Sequence, residues 1–399
     1  MNSADVVVVG AGTVGGWASY FASASGAGRV VVIEQGRAGD GASSRAAGMV
    51  RAQGGTPAAV ILGRWSIDFY RRQREEIGTD SGFRELGYLI LALTPAEVAN
   101  GRRRVAMQRE LGVESRWLSP DEAVAFDPNL APAGFLGASY LATDGCIDPP
   151  RNVRAYSLAM QRAGVELREG TTFLGLREAG ERVTGVETSA GFLASERVLL
   201  TGGPSLAEVG RRAGLNIPAG AVRHQVAVTE PHQAFDVERQ AMGFDVAGGL
   251  YWRLEDGGLL FGMSNPEEPP GPAREIDWPY MDAMRERLLR FLPVTANLGL
   301  RKAWAATIDY TPDHQPILGP ALRPDGSVIG GVTVASAGGH GMMWGPAVAR
   351  IAADLVLHGK TSVVDVKDLG LGRFDANGNS RLAADPIALP FPTAVQART

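Results

Sequence analysis

The stretch Val6–Gly15, VVVVGAGTVG, determines how the rest of the chain is interpreted. Its four valines form a continuous β-branched run, which is typical of a strand buried on both faces of a parallel sheet. Gly10, Gly12 and Gly15 follow, and residues 17–25 then have helical composition. A second apolar run, Arg29–Ile33, completes a predicted βαβ unit of about thirty residues.

The spacing of these glycines is typical of a dinucleotide-binding turn. The first glycine permits the turn, the second lets a pyrophosphate approach the backbone, and the third lets helix and strand pack closely. A carboxylate at the end of the second predicted strand accepts hydrogen bonds from an adenosine ribose and disfavours a 2′-phosphate. NAD and FAD share this fingerprint. The residues predicted to contact the nucleotide are Gly10, Ala11, Gly12, Thr13, Val14, Gly15, Glu34 and Gln35.

Length and composition limit the class of protein. At 399 residues the chain exceeds the comfortable size of one hydrophobic core, so two domains are expected. A net charge of −4 gives no reason to expect nucleic acid or an anionic membrane as a partner, and no apolar run is long enough to span a membrane. The single Cys146 fits a reducing compartment, and the first apolar run is too short for a signal-peptide core. A soluble cytoplasmic protein is therefore expected.

The remaining pattern predicts a mixed fold class, α/β plus α+β. Buried-strand and helix signals occur at both ends of the chain, and antiparallel-strand signals occupy the middle. Separate segments must therefore assemble one Rossmann-type nucleotide-binding domain beside an antiparallel-sheet substrate domain. The predicted nucleotide-binding segments are residues 1–80, 141–220 and 302–370, and the substrate domain comprises 81–140 and 221–301. Residues 371–399 have little periodicity and are expected to form a C-terminal arm on the surface.

Five further motifs lead to a family resemblance. They are Gly41–Arg51 (GASSRAAGMVR), Asp144–Pro149 (DGCIDP), Val198–Gly203 (VLLTGG), Thr311–Gly319 (TPDHQPILG) and Gly338–Gly341 (GGHG). In this order and spacing the chain resembles the FAD-dependent D-amino-acid oxidase superfamily, in the branch of sarcosine oxidase, dimethylglycine dehydrogenase and glycine oxidase. The resemblance runs from about Asp5 to Lys360. It implies an FAD enzyme that oxidises a C–N bond of a secondary or tertiary amine, or of an amino acid, to an imine by hydride transfer to flavin N5.

The resemblance also implies roles for individual residues. The loop that passes along the flavin and its phosphates corresponds to Ser43, Ser44, Arg45, Ala47 and Gly48. Phe173 corresponds to the position whose backbone meets the adenine, and Thr201 and Gly202 to the turn against the pyrophosphate. The segment that faces the pyrimidine end of the flavin corresponds to Gly338, Gly339, His340, Gly341, Met342 and Met343.

Four positions depart from the family pattern. Ala306 stands where some relatives attach FAD to a cysteine, and Arg45 where others use a histidine, so FAD is expected to bind non-covalently. Met343 replaces a lysine that holds the substrate carboxylate in N-methyl amino-acid oxidases. Leu260 is aligned with a lysine near flavin N5, and Lys302 is the one candidate substitute. These changes favour a substrate larger or less anionic than sarcosine.

Several residues have two open interpretations on the substrate side. Arg51 corresponds to an arginine that clamps a carboxylate, but a surface arginine or a brace of the flavin loop is an equal alternative. Tyr251 and Trp252 share a strand over the substrate and are either pocket or core residues. His340 positions backbone or acts as an acid–base group, and His224 is a weaker acid–base candidate near the pocket mouth.

Two alternative functions and the remaining partners complete the hypothesis. A small-molecule amine or amino acid is the expected substrate, with O2 or another acceptor reoxidising the flavin. A flavin-dependent dehydrogenase of a 2-hydroxy acid or alcohol is the second possibility, and a catalytically silent flavin-binding protein is the third. The histidines have no spacing typical of a metal site, so no metal is expected.

Overall fold

The computed structural model describes residues 2–390. Its α-helices are α1 (Thr13–Ala24), α2 (Pro57–Ile77), α3 (Pro95–Glu110), α4 (Pro120–Val124), α5 (Pro149–Arg162), α6 (Leu206–Arg212), α7 (Trp278–Phe291) and α8 (Gly345–His358). Several begin at the caps that the sequence indicates. Thr94 accepts a hydrogen bond from the Glu97 N–H ahead of α3, and Ser119 forms a capping box with Glu122 at α4.

The described residues also form twenty β-strands. They are β1 (Val6–Val9), β2 (Val30–Ile33), β3 (Met49–Val50), β4 (Arg84–Glu85), β5 (Tyr88–Ala92), β6 (Arg116–Leu118), β7 (Gly137–Leu141), β8 (Gly145–Cys146), β9 (Glu166–Arg168), β10 (Phe173–Ala179), β11 (Arg182–Thr188), β12 (Gly191–Ala194), β13 (Val198–Leu200), β14 (Gly220–Thr229), β15 (Met242–Asp245), β16 (Leu250–Glu255), β17 (Gly258–Met263), β18 (Leu300–Tyr310), β19 (Ile317–Leu322) and β20 (Val328–Ser336). Strands β3, β8 and β4 form a small separate sheet.

The largest sheet is a Rossmann-type sheet built from distant parts of the chain. Its order is β10-β11-β20-β13-β1-β2-β9, with β12 beside β11 and β19 beside β20. The central strands β20, β13, β1, β2 and β9 are parallel. Helices α1, α2, α5 and α8 contribute to the apolar cluster on one side of this sheet. The predicted βαβ unit and its assembly from discontinuous segments are confirmed.

The second sheet has the order β18-β14-β17-β16-β15-β5-β7-β6. All of its pairings are antiparallel except β5 with β15, which are parallel. Strand β18 pairs with β14 from Leu300 to Tyr310, so the predicted domain boundary at residue 302 falls inside a strand of this sheet. The division of the chain into two domains otherwise remains a prediction.

The two faces of the second sheet pack against different parts of the molecule. Trp252 and Phe261 belong to the cluster shared with α7. Tyr88 and Tyr251 belong to a cluster on the opposite face. Because neighbouring side chains of a strand point to opposite faces, Tyr251 and Trp252 cannot both line the same cavity.

The C-terminal segment is anchored to the body of the protein at a few buried residues. Arg373 is buried and donates from Nε to Asp313 Oδ2 at 2.7 Å. Farther along, Ile387 is fully buried in the cluster that contains Tyr88 and Tyr251. Between these anchors many residues, such as Asp375 and Arg381, are exposed, so up to residue 390 the segment packs along the body at a few buried positions, and its assignment as a separate arm stays a prediction. Residues 391–399 of the predicted arm lie outside the described residues.

Candidate functional site

A cavity of about 1210 Å³ runs from the carboxyl ends of the central parallel strands to the second sheet. In α/β sheets this edge is where nucleotides bind. Most of the sequence-predicted site residues line it. They are Gly10, Gly12, Thr13, Val14, Gly15, Glu34, Gln35, Ser43, Ala47, Gly48, Arg51, Phe173, Thr201, Gly202, Tyr251, Gly339, His340, Gly341, Met342 and Met343.

The glycine turn after β1 is shaped by close backbone packing. Gly10 has a φ of 97°, which favours glycine. A Cβ on Gly15 would lie 1.9 Å from the carbonyl oxygen of Gly10, so any other residue there would push α1 away from β1. The N-cap Gly12 supplies no side-chain hydrogen bond to α1. The Thr13 N–H donates to Ser43 Oγ at 2.9 Å, and the amide end of α1 beside it lines the cavity, where it can face an anion such as a pyrophosphate.

The carboxylate of Glu34 is held at the end of β2. Its Oε2 accepts from the Ala11 N–H at 2.9 Å, and its Oε1 accepts from the Gly36 N–H at 2.8 Å. Each carboxylate oxygen keeps further acceptor capacity, and Glu34 lines the cavity. The geometry suits recognition of ribose hydroxyl groups at this end of the cavity.

A Glu34→Gln variant is expected to bind FAD about tenfold more weakly, because a charge-assisted hydrogen bond becomes a neutral one. Titration of the apoprotein with FAD, followed by fluorescence, measures this change. Glu169→Gln is the matched control, since Glu169 also accepts a backbone amide, from Ala38 at 2.7 Å, but does not line the cavity. Equal weakening in both variants would contradict the role of Glu34.

Five sequence-predicted residues do not line the cavity: Ala11, Ser44, Arg45, Trp252 and Gly338. The Arg45 guanidinium instead pairs with Asp40 at 3.1 Å. Trp252 is fully buried on the other face of its sheet. Gly338 provides the carbonyl oxygen that the His340 ring contacts. The contacts with cofactor or substrate that the sequence predicts for these five residues stay predictions, and only the cavity-lining position expected of them is not observed.

Arg51 is buried, which excludes the interpretation as a surface arginine. Its Nη2 donates to the carbonyl oxygen of Ile387 at 2.9 Å, and its guanidinium lies 5.5 Å from the centroid of the Phe244 ring. Its Nη1 is buried and has no hydrogen-bond partner among residues 2–390. A buried cationic N–H without an acceptor is costly, so the geometry favours an anionic ligand at Arg51.

Asp144 supports the backbone that carries Arg51. It accepts from the Ala52 N–H at 2.7 Å and from Gln53 Nε2 at 3.0 Å. Burial raises the pKa of Asp144 to about 7, while these hydrogen bonds and the charge of Arg51 oppose the rise. Asp144 is fully buried and does not line the cavity, so it is a positioning residue.

His224 and Tyr251 form a hydrogen-bonded pair on the cavity wall. His224 Nε2 lies 2.6 Å from the Tyr251 hydroxyl, and His224 Nδ1 lies 3.3 Å from Ser264 Oγ. Burial lowers the pKa of His224 to about 4 and raises the pKa of Tyr251 above its usual value. Both side chains are therefore neutral at physiological pH, and the imidazole is able to accept a proton.

His340 has a different environment. Its ring stacks on Trp344 with centroids 3.9 Å apart, and its Nδ1 lies 3.1 Å from the Gly338 carbonyl oxygen. Burial, with a further contribution from Arg51, lowers the pKa of His340 to about 3. These contacts favour the backbone-positioning interpretation of His340 over the acid–base interpretation.

The lysines of the chain are all remote from the cavity. Lys302, Lys360 and Lys367 are exposed, and none of them lines the wall, so Lys302 does not substitute for the family lysine. Leu260 is buried in the cluster that includes Tyr251 but does not line the cavity either. Charge on the substrate side therefore comes from arginine rather than lysine.

Sequence reasoning missed part of the substrate wall. Tyr88, Phe244, Ile387 and Leu389 line the cavity beside Arg51. Tyr88 and Phe244 lie in strand-like stretches of sequence. That pattern is the same for core residues, so it does not indicate a cavity wall. Ile387 and Leu389 lie in a segment without periodicity, so no sequence signal identified them.

Comparison with known proteins decides the family. A model of the family described as FAD dependent oxidoreductase matches residues 5–355. The chain belongs to this family. FAD is accordingly its cofactor, and the open glycine turn, the end of α1 and the Glu34 carboxylate fit its pyrophosphate and ribose. The position of Cys146 does not suit a covalent bond to FAD, because this cysteine is buried and does not line the cavity.

The names of similar proteins describe enzymes that act on small amines or amino acids. The chain is 27% identical to 4-methylaminobutanoate oxidase (formaldehyde-forming) from Paenarthrobacter nicotinovorans, over 94% of this chain and 46% of that protein. It is 28% identical to glycine oxidase from Geobacillus kaustophilus, over 90% and 94% of the two chains. The chain thus spans about half the length of the first relative. L-proline dehydrogenase from P. horikoshii has a similar structure, with a TM-score of 0.83, 26% identity and coverage of 91% and 95%.

Two kinds of feature are absent from residues 2–390. No helix within residues 2–390 has both the length and the apolar character that crossing a membrane requires. The same part of the chain contains no group of three or more His, Cys, Asp or Glu residues arranged to hold a metal ion.

Proposed function

We propose that this FAD-dependent oxidoreductase oxidises the C–N bond of a carboxylate-bearing amine or amino acid to an imine, with FAD held non-covalently. The observation that carries the proposal is one cavity that joins the nucleotide-binding turn to the buried, incompletely bonded Arg51 and the neutral His224–Tyr251 pair. The names of the relatives, a methylaminobutanoate oxidase and a glycine oxidase, support the same substrate class.

Arg51 binds and orients the substrate in this proposal. A carboxylate accepts from Nη1, which completes the hydrogen bonding of the guanidinium while Nη2 remains on the Ile387 carbonyl. The rigid planar guanidinium thereby sets the direction of the bond from the carboxylate to the amine-bearing carbon. Fixing that direction reduces the entropy lost when the reacting atoms are aligned.

The Tyr251–His224 pair receives the proton that the amine must lose. An amine nitrogen needs its lone pair free to form an imine, so the substrate reacts as the neutral amine. The Tyr251 hydroxyl accepts the ammonium proton and passes its own proton to His224 Nε2, 2.6 Å away.

Bound FAD supplies a two-electron acceptor that takes a hydride from the carbon next to nitrogen. The chain supplies an apolar wall for that step through Met343, Phe244 and Ile387, which limit the access of water to the reacting carbon. O2 or another acceptor would take up the two electrons, and water would hydrolyse the released imine.

Anaerobic loss of the flavin absorbance on addition of substrates tests the proposal. The panel contains N-methyl amino acids, primary amino acids, amines without a carboxylate, and 2-hydroxy acids. Reduction by amines or amino acids is the expected result. Reduction by 2-hydroxy acids alone would replace the proposal with the alcohol-oxidising alternative, and no reduction despite stoichiometric FAD would favour a catalytically silent flavin-binding protein.

A further inference from the structure

The segment from Asp385 to Leu389 forms part of the substrate wall although it follows the body of the fold. Ile387 and Leu389 line the cavity, and Ile387 is fully buried against the cluster that includes Tyr88, Phe244 and Tyr251. Side chains from the sheet and from this segment therefore surround the space next to Arg51.

Several contacts hold the segment in place. The Asp385 N–H donates to the Asp313 carbonyl oxygen at 3.1 Å, and Asp385 Oδ1 accepts from the Ile387 N–H at 3.0 Å. A Cβ on Gly55 would lie 1.9 Å from Asp385 Oδ1, and one on Gly249 would lie 2.4 Å from Pro390 Cδ. These two glycines leave the room that the segment occupies, so the segment is fitted to the body of the protein rather than resting on it.

Arg51 joins this segment to the substrate. One side of its guanidinium holds the Ile387 carbonyl, and the other has no partner among the described residues. A carboxylate bound at Nη1 is therefore held by the same guanidinium that holds the Ile387 backbone. Phe244 and Leu389 are apolar residues of the wall of the same cavity, and Ile387, which is fully buried, supports that wall.

We propose that Asp385–Leu389 is the specificity-determining wall of the substrate site, and that the substrate is an α-amino or N-alkyl-amino acid with an apolar side chain about the size of leucine or phenylalanine. This inference rests on the proposed oxidation of amines. Burial of an apolar side chain against Ile387 and Leu389 stabilises the transition state for such substrates, whereas glycine and sarcosine leave that space unfilled.

The test compares substrates of increasing size in the FAD-loaded enzyme. Both enantiomers of alanine, leucine and phenylalanine and their N-methyl derivatives are assayed by anaerobic flavin reduction, beside glycine and sarcosine. The wild-type protein is expected to favour leucine- or phenylalanine-sized substrates over glycine and sarcosine. Ile387→Ala and Leu389→Ala are each expected to lower kcat/KM for the preferred substrate about tenfold and to move the preference towards bulkier side chains.

Ile90→Ala is the matched control. Ile90 is a buried isoleucine of the same apolar cluster that does not line the cavity, so its truncation reports the effect of general loosening. Two outcomes would contradict the proposed role of the segment. In the first, all three variants keep the size preference of the wild type. In the second, Ile90→Ala changes the size preference as much as Ile387→Ala and Leu389→Ala do. If Ile387→Ala does not fold, Leu389→Ala decides, since Leu389 is only partly buried. If no amine reduces the flavin, the proposed function itself fails, and that result is distinct from an unchanged size preference.

Discussion

An Arg51→Met variant is expected to show about a hundredfold lower kcat/KM for a carboxylate-bearing amine. Removing one partner of a buried, hydrogen-bonded charge pair costs about 3 kcal/mol, which corresponds to that factor. Arg51 is 4% exposed, so water cannot replace the lost contact at low cost. The rate of anaerobic flavin reduction at varied substrate concentration gives kcat/KM and separates binding from chemistry.

Two controls distinguish carboxylate binding from damage to the fold. Arg287→Met removes an arginine that pairs with the fully buried Asp245 at 2.5 Å and does not line the cavity, and it is expected to leave kcat/KM within about threefold of wild type. An amine that lacks the carboxylate is expected to be oxidised by Arg51→Met and wild type at similar rates. If Arg51→Met lost activity equally towards both kinds of amine, the guanidinium would only support the Ile387 segment and would not bind substrate.

A Tyr251→Phe variant is expected to reduce its flavin about a hundredfold more slowly than the wild-type protein, which is a typical contribution of a positioned proton-transfer group. The substitution removes the hydroxyl that lies 2.6 Å from His224 Nε2 and keeps the ring. The rate is measured by anaerobic stopped-flow absorbance at saturating substrate over a range of pH.

The pH dependence follows from the direction of the shift at His224. Burial lowers its pKa to about 4, so the group is neutral and able to accept a proton at every pH above that value. The wild-type rate should therefore show no inflection near pH 6.5 and should rise as the substrate amine becomes neutral. In Tyr251→Phe the rate should depend more steeply on pH, because only substrate already deprotonated in solution reacts.

Tyr88→Phe is the matched control for this second prediction. Tyr88 is also a buried cavity-lining tyrosine, but its hydroxyl lies 3.9 Å from Met49 Sδ and not beside a histidine. Its replacement is expected to change the rate less than about threefold. If Tyr88→Phe and Tyr251→Phe slowed flavin reduction equally, loss of packing would explain both, and the His224 pair would have no role in proton transfer.

Much of the nucleotide half of the site could be predicted from local sequence. The glycine spacing, the β-branched strands and Glu34 act through backbone geometry within about thirty residues, so the order of residue types is enough to indicate them. Arg45 was predicted from the same loop but pairs with Asp40, since the resemblance indicates where a loop runs and not where each side chain points.

The substrate half could not be predicted to the same extent, because its residues meet only through distant contacts. From sequence, Arg51 could be a carboxylate clamp, a surface residue or a brace of the flavin loop. Its burial and its contact with Ile387, 336 residues away, exclude the surface position and depend on the tertiary structure. Likewise, neighbouring aromatic residues at 251 and 252 are equivalent in composition, and only the register of β16 in its sheet places the first towards the cavity.

By itself, the order of amino acids indicated the βαβ unit and a dinucleotide site, because short-range hydrogen bonding and apolar periodicity specify those features. The family followed from the resemblance of motifs spread along the whole chain. Tertiary structure alone decided that His224 meets Tyr251, that none of the lysines lines the cavity, and that Ile387 packs in the cluster of Tyr88 and Tyr251. The physical reason is that pKa, burial and hydrogen-bond partnership depend on neighbours in space. Those neighbours come from segments that no local pattern connects.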